Sequence, residues 1–148
     1  MARDIPLNEV ILRKYEKPYN ADKRELIKKI CLSLGLLQPG DSRDIIIDIL
    51  TVLIESQKSK EMITSDEIKV RVEKKRKNGG YEMKGIAESN IRRQLKRLAD
   101  MMIIDKLENK YRLSEFETLT NIFNNKFEKF IIPQTIERIK EYLAEVDK

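Results

Sequence analysis

The stretch "IIIDILTVLIESQ", residues 45–57, constrains the fold more than any other part of the chain. At helical spacing Ile46, Ile49, Leu50 and Leu53 form one apolar stripe, and Ile45, Val52 and Ile54 make a second face apolar too. A helix of this kind has to be covered on two sides, so the other elements must wrap around it. Its length argues against a buried strand, although its β-branched content leaves that option open. It is also the longest apolar run, and Asp48 interrupts it. No run reaches the roughly 20 residues that span a bilayer.

The flanking segments supply partners. In "ADKRELIKKICLSLG", Asp22 with Glu25 three residues on has the form of a capping box. Leu26, Ile27, Ile30 and Leu34 share a face with Cys31 beside them, and Gly35 ends the helix. Upstream, "EVILRKY" is compatible with a strand or a short helix, ended by Pro18. Pro39-Gly40 makes a turn, after which Asp41 or Ser42 can cap the two-faced helix. "ITSDEIKVRVEKKRKNGG" has the sharpest local signal. Thr64 and Glu67 form a capping box, Ile63 and Ile68 a hydrophobic staple, and Gly79-Gly80 a stop. Lys74, Lys75, Arg76 and Lys77 fall at the negative end of its dipole, although four consecutive cations exceed what a helix end needs.

"SNIRRQLKRLADMMIID" follows. With Ser89 as N-cap, Ile91, Leu95 and Leu98 face inward, and Asn90, Arg92, Arg93 and Lys96 fall on or beside the outward face. The chain then switches to a hairpin: Ile103 to Lys106, a turn through Asn109, which suits a positive φ, and Lys110 to Leu113. The tail reads as two helices joined near Pro133, the first capped by Ser114 with Glu117. Phe116, Leu119, Phe123, Phe127 and Phe130 make an aromatic stripe, which points to core or dimer packing. Ile136, Ile139, Leu143 and Val146 follow the 3-4-3 spacing of a coiled-coil seam.

Composition removes several chemistries. With one cysteine and no histidine there is no internal disulfide, no set of zinc ligands and none of the commonest general base. No catalytic constellation is visible, so neither an enzyme nor a cofactor is expected. "MARDIPLNEV" lacks the apolar core of a signal peptide, and a cytoplasmic location is the expectation. The net charge of +5 is unevenly spread: residues 1–57 are neutral, residues 58–112 carry +7 and residues 113–148 carry −2. A positive excess confined to the middle third favours an anionic partner.

Helices followed by a short basic hairpin over Ser42–Leu113 resemble a winged helix-turn-helix domain. The most specific part is "SNIRRQLKRLADMMIIDKLENKYRL", which is similar to the recognition helix and wing of bacterial and archaeal regulators. The resemblance implies a first helix over Ile45–Gln57, a second over Ser65–Asn78 and a recognition helix over Ser89–Met101. It departs from the pattern at "NGGYEMKGIAE", which expands a usually tight turn, and at Met101-Met102, where glycine is common.

The expected architecture is therefore mainly α with a small β-wing. A winged helix-turn-helix domain at 42–113 follows an N-terminal extension with one helix at 1–41 and precedes a helical dimerisation tail at 114–148. The expected function is a homodimeric transcriptional regulator on double-stranded DNA. Ser89, Asn90, Arg92, Arg93 and Lys96 would enter the major groove, where Asn pairs with adenine and Arg with guanine. Lys106, Lys110 and Arg112 of the wing and Lys74–Lys77 would hold phosphates. Phe116, Leu119, Phe123, Phe127, Phe130, Ile136, Ile139, Leu143 and Val146 would join the subunits. The alternatives are a winged-helix adaptor in a transcription or replication assembly, which has no need of a cationic face, and RNA binding.

Overall fold

A computed structural model describes residues 4–148, so the first three residues of the extension lie outside the described residues. It is mainly helical with one small antiparallel sheet. Helix α2, Ile45–Lys58, is the axis of the core and packs against α1 (Lys23–Ser33), α3 (Ser65–Gly79) and strand β3 (Lys110–Leu113). Ile45, Ile46, Ile47, Ile49, Leu50, Val52 and Leu53 are all buried. This is the two-sided burial its pattern demands, at roughly 1.5–3 kcal/mol of transfer free energy per large side chain.

Chain order is α2, β1 (Ile63–Thr64), α3, α4 (Glu88–Asp100), β2 (Ile104–Leu107), β3, and the sheet order is β1-β3-β2. Both arms of the α3 capping box form. Thr64 Oγ1 accepts from the Glu67 amide at 3.1 Å, and Glu67 Oε1 accepts from the Thr64 amide at 3.3 Å. Ile63 is fully buried with Ile68, but it also pairs with Tyr111, so the staple residue doubles as an edge strand. In the β2–β3 turn the left-handed residue is Glu108 (φ 57), not Asn109. Type II′ geometry puts the positive φ at the first of two central residues, and the two-residue turn places Glu108 there.

Helix α4 is capped two residues earlier than expected. Its N-cap is Ala87, without a side-chain bond, and Ser89 sits inside the first turn. The stabilising side chain is Asn90, whose Nδ2 donates to the Gly85 carbonyl at 2.7 Å and so ties down the expanded turn. At the other end Met102 takes the left-handed conformation (φ 63) that a glycine would adopt without strain.

Residues 4–22 form neither strand nor helix, and the segment around Arg13 crosses the end of α1, where the Arg13 amide donates to the Ser33 carbonyl at 2.9 Å. The Arg13 guanidinium donates to the Leu32 carbonyl in the last turn of α1 at 2.8 Å and to the Leu37 carbonyl beyond it at 3.3 Å, pinning the segment to the end of the helix. Gly35 (φ 73) is required there twice over, because a Cβ would also stand 2.6 Å from Ile11 Cδ1. Asp22 caps α1 as expected, with its carboxylate accepting from the Glu25 amide at 2.8 Å. Asp41 instead accepts from the Arg43 amide and makes no cap bond to α2.

The tail is one continuous helical rod, not two helices. After a short 3-10 turn (Ser114–Phe116), Thr118 caps α5 (Leu119–Ile122). Phe123–Ile131 is π-helical, and α6 (Ile132–Val146) follows without a break. Pro133 lacks an N–H and its ring crowds the carbonyl four residues back. The widened turns ahead of it, seen in the Ile132 amide donating to Phe127 O five residues back, let the helix pass through. No helix among the described residues is long and apolar enough to cross a membrane.

Candidate nucleic-acid interface

Helix α4 separates its two faces cleanly. Ile91, Leu95 and Leu98 are fully buried, while Arg92, Arg93 and Lys96 are exposed on the opposite side. None of these cations is held by the core. Arg92 pairs with Glu88 at 3.0 Å and Lys96 with Asp100 at 3.0 Å, one helical turn away, and their side chains remain 61% and 75% exposed. Such pairs contribute about 0.3–0.5 kcal/mol, so a phosphate can replace the carboxylate at little cost. Arg93 donates to Asn90 Oδ1 at 2.6 Å. With its amide group on Gly85, Asn90 is engaged at both ends and is a structural bracket more than a free base-reading amide.

A cleft of about 660 Å³ lies between α4, the start of α3 and the hairpin. Arg92 and Lys96 of α4 and Lys106 of the hairpin line it, together with Thr64, Ser65 and one carboxylate, Asp66, at the start of α3. Strand alternation explains why only one of the three hairpin cations arrives there. Lys106 is opposite Tyr111, whose side chain is buried, whereas Lys110 is opposite Leu107 and Arg112 opposite Asp105 on the other face of the hairpin. Arg112 is committed locally, to Asp105 at 3.1 Å and over the Phe116 ring at 4.9 Å.

The basic run on α3 divides more sharply, and one assignment is corrected. Arg76 is not a surface cation: it is 2% exposed, and its Nη1 lies 2.6 Å from Asp48 and 3.0 Å from Asp44. Its Nε donates to the Glu82 carbonyl at 2.6 Å. Arg24 reaches Asp48 from the other side at 2.5 Å and stacks 3.8 Å from the centre of the Tyr81 ring. Burial works against the charge on Arg24, but the hydrogen bond and charge of Asp48 outweigh it and leave its pKa raised. Lys75 pairs with Glu55 of α2 at 2.8 Å. Only Lys74 and Lys77 of the run are exposed, and at 1.5 Å per residue they lie about 12 and 17 Å along α3 from Asp66, the nearest α3 residue at the cleft.

The aromatic stripe is likewise redistributed. Phe127 is buried, Leu119 and Phe123 are half-buried against the core, and Phe116 packs beneath Arg112, so these four stabilise the single chain. Phe130 leaves the stripe and is exposed, because π-helical turns carry more residues than α-helical ones and bring Ile131 inward in its place. The seam residues Ile136, Ile139, Leu143 and Val146 are all free, at 48–79% exposure, and α6 buries none of its residues.

Two residues that position the interface had escaped sequence reasoning. Arg97 donates to the Gly35 carbonyl at 3.1 Å, tying α4 to the extension. Asp48, a lone carboxylate in an apolar run, was the available signal that a cation had to be buried with it. Cys31 lies in the core, where burial pushes its thiol pKa up to about 12 and keeps it protonated. Comparison with family models, with curated proteins and with solved structures gives no match to this chain.

Proposed function

We propose that residues 42–113 form a winged helix-turn-helix domain and that the protein is a DNA-binding, non-enzymatic regulator of transcription in the cytoplasm. The fold reading is supported by the order helix, strand, two helices, hairpin, and by the sheet order β1-β3-β2. The functional reading is carried by one observation: Arg92 and Lys96 of α4 and Lys106 of the hairpin converge on one open cleft. In this reading α4 enters the major groove, which admits one helix, and Lys106 holds the flanking phosphates. Arg93 is the base-reading candidate beside them, released from Asn90 on contact.

The same reading assigns α6 to a homodimer. Ile136, Ile139, Leu143 and Val146 form an apolar stripe without a partner among the described residues, and two-fold dimers suit palindromic half-sites. Light scattering of the whole chain at micromolar concentration is expected to give twice the monomer mass. The Ile139→Asp/Leu143→Asp variant is expected to give the monomer mass.

The deciding experiment is a selection from random duplexes, followed by titration of the enriched site at several salt concentrations. Three to five phosphate contacts per subunit, roughly six to ten for a dimer, predict a loss of affinity on the order of 10³–10⁵ between 50 and 200 mM salt. If no duplex at low salt binds more tightly than heparin, the DNA reading fails and the protein-adaptor reading takes its place. Enrichment only from an RNA pool would assign the cleft to RNA.

A further inference from the structure

A second concavity lies on another side of the molecule, between α1, the segment around Tyr15 and the start of the tail. Its volume is about 610 Å³, within the roughly 300–1,000 Å³ range of small-molecule sites. Leu26 and Ile30 form one wall and Leu119 and Phe123 face them, so α1 and the tail hold apolar surface apart instead of closing on it. Both α1 side chains remain exposed although their helix is otherwise packed on the core.

Charge and shape narrow the occupant. Among the described residues, the charged groups lining the pocket are Glu16 and Lys29, whose side chains are 2.7 Å apart and neutralise each other. A ligand ion would find no net counter-charge. Ser33, Thr120 and Asn124 offer hydrogen bonding along the wall. Phe123 and Phe127 are stacked, with centroids 5.6 Å apart and planes within 14°; Phe127 is buried, so half-buried Phe123 is the ring that the π-helical wall presents to the space. Single π-helical turns recur at functional sites, and this stretch is π-helical throughout. A four-turn helix such as α6 of a second copy, about 22 Å long and 10–12 Å across, occupies far more than this volume.

We propose that the pocket between α1 and the π-helical segment is a binding site for a neutral, largely apolar small molecule with a flat ring system. The inference goes beyond the nucleic-acid reading and stands independently of it, since its test contains no DNA.

The test is a fluorescence titration of the full chain with Nile red, an uncharged planar dye, alongside the anionic dye anilinonaphthalene sulfonate. One saturable Nile red site per chain is expected, with weaker binding of the anion. Ile30→Trp, which fills the pocket from its rim, is expected to weaken Nile red at least tenfold. Val70→Asp, at an exposed apolar residue of α3 outside the pocket, is expected to leave it unchanged. Should Ile30→Trp lose its helical circular dichroism, Thr120→Trp fills the same space from the opposite wall. Unsaturable binding, binding lost with Val70→Asp, or full affinity in a folded filled variant would each overturn the site. Tighter binding of the anionic dye would overturn the neutral class of ligand.

Discussion

Arg76 and Arg92 are sixteen positions apart and look alike in sequence, each in a basic stretch of an amphipathic helix. Arg76 lies in the core between Asp44 and Asp48, with its Nε on a backbone carbonyl. Arg92 stands in water beside Glu88 and faces an open cleft. The difference shows that a basic run does not define a binding face. What matters is whether each cation's partner lies in the core or one turn away on the same surface. A buried pair fixes the fold and cannot change partners. An exposed one costs little to break and is available to a ligand.

The largest effect should come from the buried side. Arg24, Arg76, Asp44 and Asp48 form a neutral cluster, and removing one member leaves it one charge out of balance in the core, so Asp48→Ala or Arg76→Ala is expected to lose about 3–5 kcal/mol of stability in urea denaturation. The apolar double variant Arg76→Met/Asp48→Leu is expected to lose less than either single one, since Arg24 and Asp44, 3.6 Å apart, then remain as a neutral pair. A loss under about 1 kcal/mol for Asp48→Ala would mean that water reaches the cluster and that the contrast with α4 is overstated.

On the exposed side the signs reverse. Arg92→Ala/Lys96→Ala is expected to stay within about 0.5 kcal/mol of the parent in stability. Its duplex affinity should fall, with the slope of log affinity against log salt shallower by about 1.8, or 0.9 per lost phosphate contact. Unchanged affinity and slope would remove α4 from the interface. Neutralising the competing carboxylates, as Glu88→Gln/Asp100→Asn, is expected to move affinity modestly the other way, because phosphate then has no rival for Arg92 and Lys96.

What the sequence made legible was local. The Thr64–Glu67 capping box, the inward triad of α4 and the hairpin depend on residues a few positions apart, and all three are present. Arg76 was misread because its partner Asp48 is 28 residues away and pairing of that kind leaves no periodic trace. Pro133 was read as a joint because proline usually ends a helix, but π-helical turns ahead of it absorb the clash. Asn90 was read as a base contact on exposure and residue type. Its role as a bracket depends on where an expanded turn places the Gly85 carbonyl.

The smallest effect tests the same distinction within the hairpin, between residues only four apart. Both Lys106 and Lys110 are exposed, and side-chain count alone would make them equal. Alternation along paired strands does not: Lys106 shares the Tyr111 side, with its Nζ 5.9 Å from the ring centre, and joins Arg92 and Lys96 around the cleft. Lys110 pairs with Leu107 on the reverse face. Lys106→Ala should therefore shallow the salt slope by about 0.9, the value of one phosphate contact, while Lys110→Ala leaves it within error. Neither change should alter discrimination between duplex sequences, because backbone contacts carry no base information. If Lys110→Ala shallowed the slope and Lys106→Ala did not, the duplex would lie across the outer face of the hairpin. The α4 cleft would then not be where the wing meets DNA.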